Sequence, residues 1–160
     1  MIRAVLLILS LAVAGCVTTL TPSERLAPLR LAFTEPVESL RARADRHEAE
    51  AVYALSFLTL HGLRGVTADR AASATMRLEG KPRSTMITQY IPGVNGAPGR
   101  ISLIPATVGG WPFSTSVLDL CGEAVLNGIA PMGEIYCGGP ELYTELAALA
   151  RDEAAAWRGR

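Results

Sequence analysis

Apolar positions recur at helical spacing along much of this chain, and a change of character after Lys81-Pro82 divides it. After Thr21-Pro22-Ser23-Glu24, which reads as a capping box with proline at the first helical position, apolar residues recur at helical spacing. Pro28 limits how far that first helix runs regularly. A second start at Thr34-Glu35-Pro36 opens a long helix, expected to reach about His61. Val37, Leu40, Ala44, Ala51, Leu55 and Leu58 form one apolar stripe along it, with His47 on the same stripe. Gly62 and Gly65 interrupt the pattern, Thr67 is the expected cap of the next helix, and Ala68 to Glu79 continue it until Gly80.

The chain then changes character after Lys81-Pro82. Thr85 to Ile91 and Arg100 to Thr107 are rich in β-branched and apolar residues and flank a glycine-proline segment, so they predict a β-hairpin with Asn95-Gly96 at its turn. Ser116 and Asp119 start a helix that runs to about Asn127 and is stopped by Gly128 and Pro131. Gly138-Gly139-Pro140 opens the last helix, whose buried face is Tyr143, Ala147, Ala150, Ala154 and Trp157. The expected fold is α+β and mostly α: an N-terminal helical hairpin, one β-hairpin and two C-terminal helices pinned by a disulfide.

Ahead of all this lies a different kind of segment. Arg3 precedes an apolar run from Ala4 to Val17, interrupted by Ser10, that ends in small residues, the pattern of a secretory signal. Its 14 residues make about 21 Å of helix, short of the roughly 30 Å of a hydrocarbon core. Val13-Ala14-Gly15-Cys16 resembles the lipobox of bacterial lipoproteins, with Val13 where leucine is commonest. That resemblance implies cleavage before Cys16 and lipid on its thiol, facing the periplasm, and Val17 in place of aspartate implies the outer membrane. Residues 1–15 are then a signal peptide, 16–21 a lipidated tether and 22–160 one periplasmic domain. The mature chain keeps 145 of the 160 residues, enough for a single core.

Charge narrows the partners. Fifteen basic residues balance fifteen acidic ones, so no concentrated basic face for nucleic acid is expected. Lys81 is the only lysine; the arginines are spread along helices and read as solvated surface.

Cys121 and Cys137 form an even pair in a chain expected in an oxidising compartment, and a structural disulfide closing 16 positions is the leading reading. Buried free thiols and a catalytic thiol are the alternatives. A metal site needs more ligands than the two histidines, His47 and His61, supply beside them, and a CxxC redox motif is absent. No GxSxG, HExxH or Walker motif occurs, and Gly93 to Gly99 reads as a hairpin loop because a strand follows it. His47, between Arg46 and Glu48, reads as a packed or partly exposed residue, and His61 as a helix-terminal cation. Glu134, Glu141 and Glu145 read as solvated surface, and Trp111, Tyr136 and Tyr143 as core plugs at glycine-rich turns.

Residues Ala51, Leu55, Gly62, Gly65-Val66, Asp69, Ala72 and Gly80 resemble one degenerate Sel1-like repeat, a relative of the tetratricopeptide hairpin. Ser56 stands where that family has glycine, and one copy cannot stack into a solenoid. The function expected is non-catalytic: a membrane-anchored envelope lipoprotein that holds a protein partner or maintains the envelope, with no cofactor and no metal. The alternatives are a cell-wall-acting enzyme that sets His47 or His61 beside a carboxylate in a cleft, and a binder of small periplasmic ligands through the glycine-rich loop.

Overall fold

A computed structural model describes residues 21–81, 83–93, 98–108 and 115–159. The lipobox, the Asn95-Gly96 turn and Trp111 lie outside the described residues. Within them the chain forms nine helices and one two-stranded antiparallel sheet. The capping box is present: Thr21 Oγ1 accepts from the Glu24 amide, and Glu24 Oε2 accepts from the Thr21 amide at 2.6 Å. It starts α1 (Pro22–Arg25). Pro28 does not merely limit that helix; it sits in the first turn of α2 (Ala27–Thr34), where its missing N–H would have had no partner.

The long helix expected from Pro36 to His61 is two helices, α3 (Val37–Asp45) and α4 (Ala49–His61). His47 takes a left-handed backbone, φ 60°, and its amide bonds back to the Ala44 carbonyl at 2.8 Å while that of Glu48 reaches Arg43. Arg43 holds the corner, donating to Glu35 Oε2 and to Glu48 Oε2 at 2.6 Å each. Periodicity survives the corner because both halves face the same core, which is why the sequence pattern conceals it. Val37, Leu40, Ala51, Leu55 and Leu58 are buried as expected, but His47 leaves the stripe and is exposed.

Helix α4 is the centre of the molecule. Nine consecutive residues, Ala51 to Thr59, are buried, so it is covered on every side and not along one stripe. It packs against α2, α3 and α5 (Arg70–Glu79), and the ring of Phe57 lies where a side chain on Gly122 would stand. The α4–α5 pair is the expected helical hairpin. Gly62, φ 62°, ends α4 in the left-handed conformation that a side chain disfavours. Asp69, and not Thr67, caps α5: its backbone is extended and its carboxylate accepts from the Ala72 amide at 2.9 Å.

Strands β1 (Arg83–Ile91) and β2 (Arg100–Val108) pair in a register that sets Ile87 opposite Ile104 and Tyr90 opposite Ile101. Helix α6 (Thr115–Asn127) follows. Pro131 does not simply stop it; it lies in the first turn of an additional helix, α7 (Ala130–Tyr136), after Gly128 at φ 72°. The expected last helix is divided at Ala150 into α8 (Pro140–Leu149) and α9 (Arg151–Arg158). Leu146, Ala150 and Ala154 are its buried line, with Tyr143 and Trp157 partly buried and packed on the core.

Cys121 in α6 and Cys137 at the end of α7 form a disulfide, with Cα atoms 5.0 Å apart and both side chains out of solvent. One cluster of buried side chains runs from Leu26 to Ala154, joining N- and C-terminal helices. Arginines fasten its periphery, which corrects their reading as plain solvated surface. Arg30 pairs with Glu145 through two hydrogen bonds of 2.7 and 2.8 Å, Arg64 donates to the Ala32 and Glu35 carbonyls, and Arg158 to that of Leu126. A planar guanidinium with five donors suits such cross-element ties better than a lysine ammonium.

Candidate functional site

Four places bring together residues with chemical or binding capacity. The first holds His61, at the last turn of α4. It is 9 % exposed, its ring centroid lies 4.6 Å from that of Phe57 and 5.4 Å from that of Trp157, and its Nε2 has no hydrogen-bond partner among the described residues. Burial lowers its pKa, with a smaller opposing pull from Asp119 and a further push down from Arg77. Burial thus works against the expected helix-terminal cation, because desolvation of the charged form outweighs the attraction of Asp119. The depressed pKa makes the unfolded chain the better proton binder, so acidification through the ordinary histidine range takes stability away until pH falls below the folded pKa. Replacing His61 by Phe is expected to flatten that part of a stability-against-pH curve measured by chemical unfolding. An unchanged slope would show that His61 does not contribute.

The second place is a polar cluster between α4, α5 and α6. Arg77 donates to both carboxylate oxygens of Asp119, at 2.6 and 2.7 Å, and to Ser56 Oγ at 3.1 Å. Ser56 Oγ donates to the Tyr53 carbonyl, and Ser73 Oγ to that of Ser56. The space it encloses, about 10 Å³, is the size of a single water and admits no substrate. Asp119 is the carboxylate whose charge acts on His61, but both its oxygens are engaged by Arg77. Acid–base work needs a carboxylate or imidazole facing a reacting atom, and this arrangement offers instead a clamp for three helices.

A groove of about 320 Å³ is the third place, where α1, α6 and α7 meet. Pro22, Leu26, Val117, Ile135 and Tyr136 make it largely apolar, and Arg25 is the charged residue on its wall. It carries no histidine or carboxylate. The other residues singled out in the sequence are dispersed: His47 is exposed at its corner, Glu134 and Glu141 are exposed, Glu145 is tied to Arg30, and Tyr143 lies against Gly133. Among the described residues no three histidine, cysteine, aspartate or glutamate side chains are grouped to hold a metal ion. No helix among them is long and apolar enough to cross a membrane.

The fourth place is the β-hairpin. Its two strands pack chiefly on each other, and every residue from Arg83 to Tyr90 is exposed. The register sorts the side chains onto two faces, since opposed residues share a face and alternate along each strand. One face carries Ser84, Met86, Thr88 and Tyr90 on β1 and, opposite the last three, Pro105, Leu103 and Ile101 on β2, with no charge among them. Met86 is 57 % exposed, Tyr90 64 %, Ile101 73 % and Leu103 62 %. Exposed apolar side chains grouped on one face in this way mark a candidate binding surface. The β-branched runs located the strands but assigned neither face a partner, because only the packing reveals that no described helix covers them.

Comparison with known proteins found no relative: no family model, no curated protein and no solved structure matches this chain.

Proposed function

We propose that this protein is a non-catalytic envelope lipoprotein, anchored through lipid on Cys16 and working through contacts made by its β-hairpin. The observation that carries the reading is the uncharged face of Met86, Tyr90, Ile101 and Leu103, which the helical body leaves in solvent. Val13-Ala14-Gly15-Cys16 supplies the anchor, and Val17 favours the outer membrane. Thr21 follows Cys16 by only five positions, at most about 18 Å of extended chain, so lipidation holds the helical body close to the bilayer. Confinement of this kind raises the effective concentration of the hairpin toward envelope partners without any gain in intrinsic affinity. The single Sel1-like hairpin, α4 with α5, serves on this reading as a structural core and not as a solenoid repeat. Two or three acyl chains make anchoring effectively permanent, at about 0.8 kcal/mol per buried methylene.

The test separates anchor from surface. Expressed in a bacterial envelope, the native chain is expected in the membrane fraction and to incorporate labelled palmitate, whereas Cys16→Ala should be unlabelled and released. Leu103→Asp should stay anchored and folded yet lose the cellular role, and His61→Phe should keep it. The proposal fails if Cys16→Ala remains anchored, or if the chain turns over a cell-wall substrate and loses that turnover with His61→Phe.

A further inference from the structure

The partner of the hairpin can be named from its edges. We propose that two copies of this chain associate through β1, antiparallel about a two-fold axis at Ile87, to form a four-stranded sheet in the order β2, β1, β1, β2. This rests on the reading of the hairpin as the interaction surface and gives its β1 edge an occupant, a second copy of this chain.

A two-stranded ribbon is marginal in water unless further strands or a helix support it. Here the helices give little support: β1 is exposed from Arg83 to Tyr90, and among the described residues no backbone hydrogen bond joins it to anything but β2. Of the two outer edges, β2 is blunted by Pro105, which lacks the N–H a further strand would use. Residues Arg83–Ile91 contain neither proline nor glycine, so the outer edge of β1, unpaired among the described residues, can accept a further strand along its nine residues.

Pro105 also fixes the phase. A proline keeps its place in a ladder with its nitrogen turned away from the partner strand, so Met86 and Pro105 form a pair of the non-hydrogen-bonded kind. Along β1 the outward N–H and C=O groups then belong to Ser84, Met86, Thr88 and Tyr90. A two-fold axis at Ile87 sets Ser84 opposite Tyr90 of the second copy and Met86 opposite Thr88 of the second copy. All four pairs are competent to bond, giving about eight hydrogen bonds. The same register agrees with the charges. Arg83 is the only charged residue of β1 and meets Ile91 of the second copy, while the two Arg83 residues stand at opposite ends, about 27 Å apart and beyond screening range. Side-chain alternation is preserved across the axis, so the apolar faces of the two hairpins become one continuous surface.

Cysteine substitution in the full chain tests this, since the axis brings the two Ile87 positions within disulfide range, Cα atoms about 4.5 Å apart. Under mild oxidation Ile87→Cys is expected to convert mostly to a reducible species of twice the mass. Thr85→Cys, whose copies lie about 14 Å apart along the strands, should give at least tenfold less. A mixture of Thr85→Cys with Gln89→Cys should couple again, and the unsubstituted chain controls for Cys16. Adding Met86→Pro to Ile87→Cys removes an outward N–H and should abolish coupling while circular dichroism shows the helices intact. The proposal is overturned if Ile87→Cys stays uncoupled, if it couples instead to another envelope protein, or if Thr85→Cys couples as well. An uncoupled Ile87→Cys beside a Leu103→Asp that still abolishes the cellular role overturns self-association and leaves the interaction reading standing.

Discussion

Leu58→Ala should lower the unfolding free energy by about 2–5 kcal/mol, the range for emptying a leucine-sized space in a packed core. Leu58 has 0 % exposure in a helix whose neighbours enclose it on all sides, so the surroundings have little freedom to collapse into the void. Domains of this size are stable by about 5–15 kcal/mol in all, so the variant sits near the folding threshold and its thermal midpoint should fall by about 10 °C or more. Leu78 is the internal comparison. It lies in α5 with 63 % exposure, and Leu78→Ala should change stability by no more than about 0.5 kcal/mol. Thermal unfolding followed by circular dichroism measures both. Equal midpoints for the two variants would contradict the central position of α4.

Removing the disulfide should have an effect of similar size by a different route. Cys121 and Cys137 are 16 positions apart, and cross-linking a loop of that length is worth about 3 kcal/mol in the chain-entropy model, mainly through restriction of the unfolded state. The double substitution Cys121→Ala with Cys137→Ala should therefore move the urea midpoint down and steepen the denaturant dependence, because the unfolded chain exposes more surface without the link. Full reduction of the native protein should reproduce the shift. A midpoint unchanged by both treatments would mean that packing alone holds α7 against α6. The double substitution does not touch the hairpin, so self-coupling through Ile87→Cys should survive it wherever the helical body remains folded.

Several features were legible in the sequence because they are written in neighbouring residues. Thr21-Pro22-Ser23-Glu24 specifies a capping box by its own spacing, and the β-branched runs on either side of the glycine-proline segment specify a hairpin. The 16-residue spacing of an even cysteine pair allowed the disulfide between Cys121 and Cys137. Other features depend on which surface each residue meets. A left-handed His47 divides α3 from α4, and hydrophobic period cannot reveal the corner because both helices face one core. His61 follows the same logic: its place at a helix end favours a cation, but Phe57 and Trp157 close over the ring, and desolvation prevails. Pro28 and Pro131 are compatible with ending a helix or beginning one, and the orientation of the adjoining segments decides for beginning. The hairpin shows the division most clearly. Alternation fixes which side chains share a face, whereas the exposure of Met86, Tyr90, Ile101 and Leu103 follows from the helices packing around α4 and leaving β1 and β2 aside. Local periods are set by backbone geometry and can be read residue by residue; burial is a property of the whole assembly, and only the tertiary structure decides it.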